Sequence, residues 1–371
     1  MTILIVPDKF KGTLSAREAA QAIARGWRQA RPRDSIELLP MSDGGDGFGE
    51  VLSGRLGATR QSVKTVDAAH RPCKATWWWQ AKSRTAIVDS ARVIGLAMLP
   101  PGKFHPFELD TFGLGAVLRA AEREGAKQIL IGIGGSATND GGFGFARALG
   151  WEFRDRHAQL IERWPGLSEL MEIRRPARRV FGKVVAAVDV QNRLLGAHGA
   201  TRVYGPQKGL RPEDFQLAER CLERLADVMS RQFRRDLARV PGAGAAGGLG
   251  FGLAAFAGAR LQPGFALFAK HAALARRLRT ADLVITGEGA IDRSTVMGKG
   301  VGEIARLCRR HRVPCLGLAG ALSRSLEVQR LFAETRALTD LTTPAHAMAE
   351  PALWLSRLAA HVAREFPLGS L

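Results

Sequence analysis

The run from Gly132 to Gly142 (GIGGSATNDGG) sets hydroxyl, amide and carboxylate side chains among glycines, directly after an apolar stretch and directly before a helical pattern. Glycines let successive backbone N–H groups converge on an oxyanion without Cβ atoms in the way, and a helix start adds partial positive charge. The spacing is neither the GxGxxG of dinucleotide sites nor a Walker A loop, since no Gly-Lys-Ser/Thr follows. A phosphate or carboxylate cradle is the chemistry on offer. A tight turn that needs glycine is the plainer alternative.

Further loops share this character. Ser42 to Gly47 (SDGGDG) places Asp43 and Asp46 three residues apart, a spacing that can coordinate Mg²⁺ or orient a hydroxyl, or simply cap a helix. Thr286 to Thr295, closing with Gly298, Lys299 and Gly300, brings Gly287, Glu288, Asp292 and a lysine able to reach a phosphate. Asp8 to Thr13 carries Lys9 and Lys11, either able to clamp an anion. Asp189 directly follows an apolar run, which makes it a candidate base for a hydroxyl, with Asn192 close behind. Lys208, in Tyr204 to Gly209 (YGPQKG), adds a cation. Each of these last charges, taken singly, is more often a solvated loop residue.

Elements that could hold such loops are visible in the hydrophobic pattern. Apolar runs that end in a Gly/Asp/Ser/Thr loop and open into a helix mark β-loop-α units of a parallel sheet. The chain shows them at Ile3 to Val6, at Ile36 to Leu39 and at Asp282 to Ile285. Ser15 with Glu18 has the capping-box spacing for the first helix. Val63 to Val88 alternates as an antiparallel hairpin turning at His70-Arg71-Pro72. The expected fold is α/β: residues 1–61 and 279–371 form one doubly wound parallel-sheet domain, and residues 62–278 form an inserted mixed α/β domain, with the active site in the cleft between them. The glycines of 242–258 are expected to permit close backbone or ligand approach at the start of a packed helix.

Hydrophobic residues make up 46% of the 371 and charged residues 24%, which is globular usage without the ~20-residue apolar run of a membrane span. Four scattered cysteines lack disulfide or zinc spacing, and the N-terminus has no leader pattern, so a cytoplasmic protein is expected. The net charge of +19 raises nucleic-acid binding, but the arginines are spread in pairs along helical segments. Attraction of small anionic substrates is the expectation, with no nucleic acid and no membrane.

Taken together, DKFKGTLSA, SDGGDG, IGIGGSATNDGG, DVQN, YGPQKG, GAGAAGGLGFG and TGEGAID resemble the glycerate kinase family of the type that forms 2-phosphoglycerate, in the expected order from Asp8 to about Gly320. The resemblance implies a flavodoxin-like domain interrupted by a second α/β domain, with ATP as co-substrate, Mg²⁺ as cofactor and D-glycerate as substrate. It leaves room for a homodimer. On this reading Asp189, Lys9, Asp43 and Asp292 are the catalytic candidates. Lys11, Gly134, Gly135, Ser136, Thr138, Asn139, Asp140, Asn192, Lys208, Gly287, Glu288 and Lys299 bind substrate or phosphate, and Asp46 and Glu288 hold Mg²⁺. Leu109 to Gly115 (LDTFGLG) departs from a more hydroxyl-rich family run. The alternatives are a kinase of another small hydroxy acid and a non-catalytic sugar-acid or nucleotide sensor.

Overall fold

In the computed structural model the described residues are 1–45, 47–177, 181–296, 300–323 and 325–366. Along the chain β1 (Thr2–Pro7) and β2 (Ser35–Leu38) come first. Then follow β3 (Thr59–Val66), β4 (Pro72–Gln80), β5 (Thr85–Asp89), β6 (Gln128–Gly132), β7 (Glu152–Asp155), β8 (Leu170–Arg174), β9 (Lys183–Val188) and β10 (Arg260–Pro263). The last are β11 (Leu283–Ile291), β12 (Cys315–Leu322) and β13 (Glu334–Ala337). The contacts divide the chain into two compact units, Met1–Asp43 with Phe265–Leu371, and Gly44–Gly264.

The first unit holds a parallel sheet in the order β13-β12-β11-β1-β2. Renumbered within the unit this is 2-1-3-4-5, the flavodoxin-like doubly wound order. A central strand flanked on both sides reads as continuous apolar sequence, and Ile3, Leu4, Ile5 and Val6 of β1 are at most 1% exposed. The helix Ala16–Ala30 covers one face, burying Ala19, Ile23 and Trp27. Its start is fixed by the expected capping box: Glu18 accepts from the Ser15 N–H at 2.8 Å, and Ser15 Oγ accepts from the Glu18 N–H at 3.3 Å.

The second unit is built on a six-stranded sheet in the order β10-β9-β6-β5-β4-β3. The β3–β4 and β4–β5 pairs are antiparallel, and the remaining neighbours are parallel. The expected hairpin forms, turning at Asp67 to Arg71 with His70 at φ +57°. The parallel half aligns the C-terminal ends of β5, β6 and β9, so the loops that leave them emerge along one edge.

Two expectations shift. The units divide at 43/44 and 264/265 where 61/62 and 278/279 were expected. The helix Phe48–Leu56 belongs with the second sheet because Phe48 lies against Gly132 and Gly49 against the Trp78 ring. The helix Leu274–Leu278 belongs with the first, where Arg277 pairs with Glu37. The supposed loop from Thr286 begins instead as strand: β11 continues through Gly287 and Glu288 to Ile291, paired with β12 as far as Leu322. Among the described residues no helix is long and apolar enough to cross a membrane.

Candidate active site

In the second unit, the loop after β6 is held by backbone contacts on several sides. Gly134 N–H donates to the Gly44 carbonyl at 3.2 Å, Ala137 N–H to Ile94 at 2.8 Å, and Gly141 N–H to Gly247 at 3.1 Å. A Cβ on Gly247 would sit 1.9 Å from the Thr138 carbonyl oxygen, and Ala246, Gly247 and Gly248 all have positive φ. The glycine-rich segment therefore serves close backbone packing beneath the loop, the backbone-approach half of what its composition suggested. Asp140 is fully buried and organises the loop's far end. Its carboxylate accepts from Thr111 N–H and Oγ1 at 2.9 and 2.7 Å and from the Gly142 and Gly144 N–H groups at 3.2 and 2.9 Å. Burial, reinforced by the nearby Asp110, pushes it up to about 6.

Lys208 enters this loop from outside. Its Nζ donates to Ser136 Oγ at 3.0 Å and to the Thr138 carbonyl at 2.7 Å. The side chain is 6% exposed, and burial drives its ammonium down to about 7 against a weaker opposing pull from Asp140. Thr138 Oγ1 and both polar atoms of the Asn139 amide are buried with no hydrogen-bond partner among the described residues. The loop thus offers a buried cation, together with a hydroxyl and an amide that no group among the described residues engages.

The neighbouring parallel strand β9 ends at Val188, and Asp189 stands exposed just beyond it. Tyr204 Oη donates to Asn192 Oδ1 at 2.7 Å, and Asn192 Nδ2 donates to the His198 carbonyl at 2.8 Å. Burial and the charge of Asp189 push the Tyr204 phenol up to about 12.

The first unit carries a second cluster at the C-terminal end of β1 and the stretch of β11 that continues beyond it. Asp8 N–H donates to the Gly287 carbonyl at 2.8 Å, and the Asp8 carboxylate accepts from Lys9 N–H at 2.7 Å. Burial first, then Asp43 and to a lesser degree Glu288, raise Asp8 to about 8 while Lys9 opposes them. Glu288 is buried and accepts from Thr295 Oγ1 at 2.7 Å, and Thr295 Oγ1 also accepts from Asp292 N–H at 3.2 Å. A Cβ on Gly287 would lie 2.2 Å from the Leu318 carbonyl oxygen, so close strand pairing accounts for glycine there. Lys11 is exposed on the turn that follows.

Comparison with known proteins decides the family: the glycerate kinase family model matches residues 3–367. The chain belongs to the glycerate kinase family. The glycerate kinase of Halalkalibacterium halodurans is 38% identical over 330 residues, which is 88% of this chain and 87% of that protein. The glycerate 2-kinase of Escherichia coli is 36% identical over 333 residues, 88% of this chain and 87% of its own length. A solved structure assigned as glycerate kinase 2 from Salmonella typhimurium LT2 superimposes with a TM-score of 0.83 at 34% identity, covering 98% of each chain. The family expected from the motifs is therefore the family found, and it makes this chain a kinase.

Within this glycerate kinase family member, the expected site residues fall into two groups. Gly134, Gly135, Ser136, Thr138, Asn139, Asp140 and Lys208 come together around the β6 loop, with Asp189 and Asn192 at the end of the adjacent strand. Lys9, Asp43, Gly287, Glu288 and Asp292 gather in the other unit, with Lys11 at their margin. Asp46 and Lys299 lie outside the described residues. Sequence reasoning passed over Asp8, although an acid at the exit of the first strand was a signal. It also passed over Thr111, whose partner Asp140 lies 29 residues along the chain, and Tyr204, whose bond to Asn192 across a loop leaves no mark in the spacing.

Proposed function

We propose that this chain transfers the γ-phosphoryl group of ATP to the 2-hydroxyl of D-glycerate, giving 2-phosphoglycerate and ADP. One observation carries the reading: the Lys208 ammonium is buried beside the glycine loop and donates to neutral oxygens of Ser136 and Thr138. Buried charges are ordinarily paired with opposite charge, and an anionic oxygen of the ligand completes this pair. Asn139 offers both a donor and an acceptor, so a ligand that bears a carboxylate and a hydroxyl matches the loop better than a bare phosphate. A hydroxy acid has both.

The remaining roles follow from charge and position. Asp189 accepts the proton as the substrate hydroxyl attacks the γ-phosphorus and the bond to ADP breaks. Lys9 and Lys11 face anionic oxygens in the first unit. Asp43 and Glu288 are the residues that would hold Mg²⁺, whose site in kinases ordinarily combines one or two carboxylates with waters and nucleotide phosphates, and Asp292 stands close by. The residues fit that ion, because Asp43 and Glu288 add to the burial that raises Asp8, and a hard divalent cation would relieve that repulsion. Among the described residues no group of three or more His, Cys, Asp or Glu side chains is arranged to hold a metal. Bound there, Mg²⁺ would neutralise charge on the phosphate oxygens. Asp140 works as a positioning residue, its oxygens being engaged by the loop itself.

A coupled ADP-release assay with ATP, Mg²⁺ and a panel of small hydroxy acids tests this, with the product isomer identified by ³¹P NMR. D-glycerate is expected to give the highest kcat/KM and 2-phosphoglycerate, with turnover abolished by EDTA and lowered about a hundredfold to ten-thousandfold, to a measurable residual rate, by Asp189→Asn. Preference for a different acid, or 3-phosphoglycerate as product, overturns the substrate assignment. Turnover that Asp189→Asn leaves undiminished removes Asp189 as base.

A further inference from the structure

One short segment touches both loops at the working edge of the second sheet. The helix Ala200–Tyr204 runs into the turn Pro206–Lys208. Its first residue is tied to the loop after β9, Ala200 N–H donating to the Leu194 carbonyl at 2.9 Å. Tyr204 then reaches the same loop through Asn192. One turn further along, Lys208 reaches the loop after β6 through Ser136 and Thr138. The junction is tight: Gly205 N–H donates to the Thr201 carbonyl at 3.0 Å, and a Cβ on Gly205 would stand 2.3 Å from that oxygen. The strands β6 and β9 are parallel neighbours, with Gly132 opposite Ala187. The two loops therefore leave side by side, and the segment spans them.

We propose that Tyr204 is a positioning residue for phosphoryl transfer: through Asn192 it sets the loop that presents Asp189, and through its short connection to Lys208 it ties that loop to the anion cradle. This rests on the kinase reading of the same site. Tyr204 touches neither substrate nor nucleotide in this scheme. Its phenol keeps its proton across the neutral range, since burial and Asp189 both disfavour the phenolate, so it remains the donor to Asn192 while Asp189 gains and loses a proton. Holding a catalytic group in register affects the rate of the chemical step more than ground-state affinity.

The test is Tyr204→Phe, which keeps the ring and removes the hydroxyl. kcat is expected to fall about tenfold, the scale of one lost positioning hydrogen bond, while KM for ATP and for D-glycerate stays within about twofold. Because Tyr204 acts through Asp189, the same change in an Asp189→Asn background is expected to alter the residual rate by less than about twofold. The chain has a single tyrosine, so ¹³Cζ-tyrosine labelling gives one resonance, which Asn192→Ala and Lys208→Met should each displace in the ligand-free protein. An unchanged kcat, a full tenfold loss repeated without Asp189, or a resonance indifferent to both substitutions overturns the proposal. Should the wild-type protein phosphorylate no acid, the kinase reading fails, and the resonance alone then decides whether the segment joins the two loops.

Discussion

Lys208 Nζ lies 2.7 Å from the carbonyl oxygen of Thr138, an ammonium donating to a neutral loop carbonyl in a buried setting. Burying a charge against neutral partners costs stability, and removing it can be neutral or stabilising in the absence of ligand. Lys208→Met is therefore expected to leave the ligand-free thermal midpoint unchanged or raised. The same substitution should lower kcat/KM by about tenfold to a hundredfold, the worth of one charge-assisted hydrogen bond. Differential scanning calorimetry alongside the kinase assay checks both halves, and a large loss of Tm would count against the anion-site role.

The lysine also sets a pH dependence. Its folded value is about 7 against the ordinary 10.5, so between these the unfolded chain binds more protons and stability rises with pH. The penalty is full below about pH 7 and relieved as pH approaches 10.5. Denaturant unfolding from about pH 6 to about pH 10 should show this slope in wild type and a flatter curve in Lys208→Met. Anion affinity should move the opposite way, weakening above about pH 7 as the ammonium is lost.

Thr111 Oγ1 both donates to Asp140 and accepts from Phe145 N–H at 2.8 Å. Thr111→Val leaves that N–H unsatisfied and strips a donor from a buried carboxylate, a cost of about 2–4 kcal/mol. Asp140 stands at about 6 where the ordinary value is 3.8, so the folded state holds the extra proton and stability falls as pH rises through that window. Losing the donor raises the folded value further. The fall should continue above pH 6, making the variant's deficit larger at about pH 8 than at about pH 5.

Gly247 and Gly12 separate packing from backbone conformation. Gly247 has φ +69° and a Cβ position 1.9 Å from the Thr138 carbonyl, whereas Gly12 has φ +82° and nothing within 4 Å. Gly12→Ala should cost about 1–2 kcal/mol, the left-handed penalty alone. Gly247→Ala should cost about 3 kcal/mol or more and reduce activity, because the loop above it must move. Equal losses in urea melts would mean that the close approach does not constrain the loop.

Much of this organisation was legible in the sequence because its causes are local. Apolar runs ending in polar glycine loops marked β1, β2, β6, β9 and β11, and the Ser15–Glu18 pair marked the first helix, since strand burial and capping act within a few residues. The agreement of many short motifs was enough to indicate the family. What escaped was non-local. The length of β11 depends on pairing with β12, and the unit boundary depends on the helix Phe48–Leu56 packing against Gly132 and Trp78.

The same division runs through the site. Sequence alone determined which residue types stand at the C-terminal ends of the strands, and so the chemistry available: glycine loops, lysines and carboxylates. Tertiary structure decided what each does. Asp140 turns inward to two donors of its own loop and to the two of Thr111, 29 residues away, Lys208 crosses 70 residues to the Thr138 carbonyl, and Tyr204 is joined to Asn192. Burial and hydrogen bonding to distant partners determine whether a charged group is spent on the fold or left for a ligand, and neither is written in the spacing of neighbouring residues.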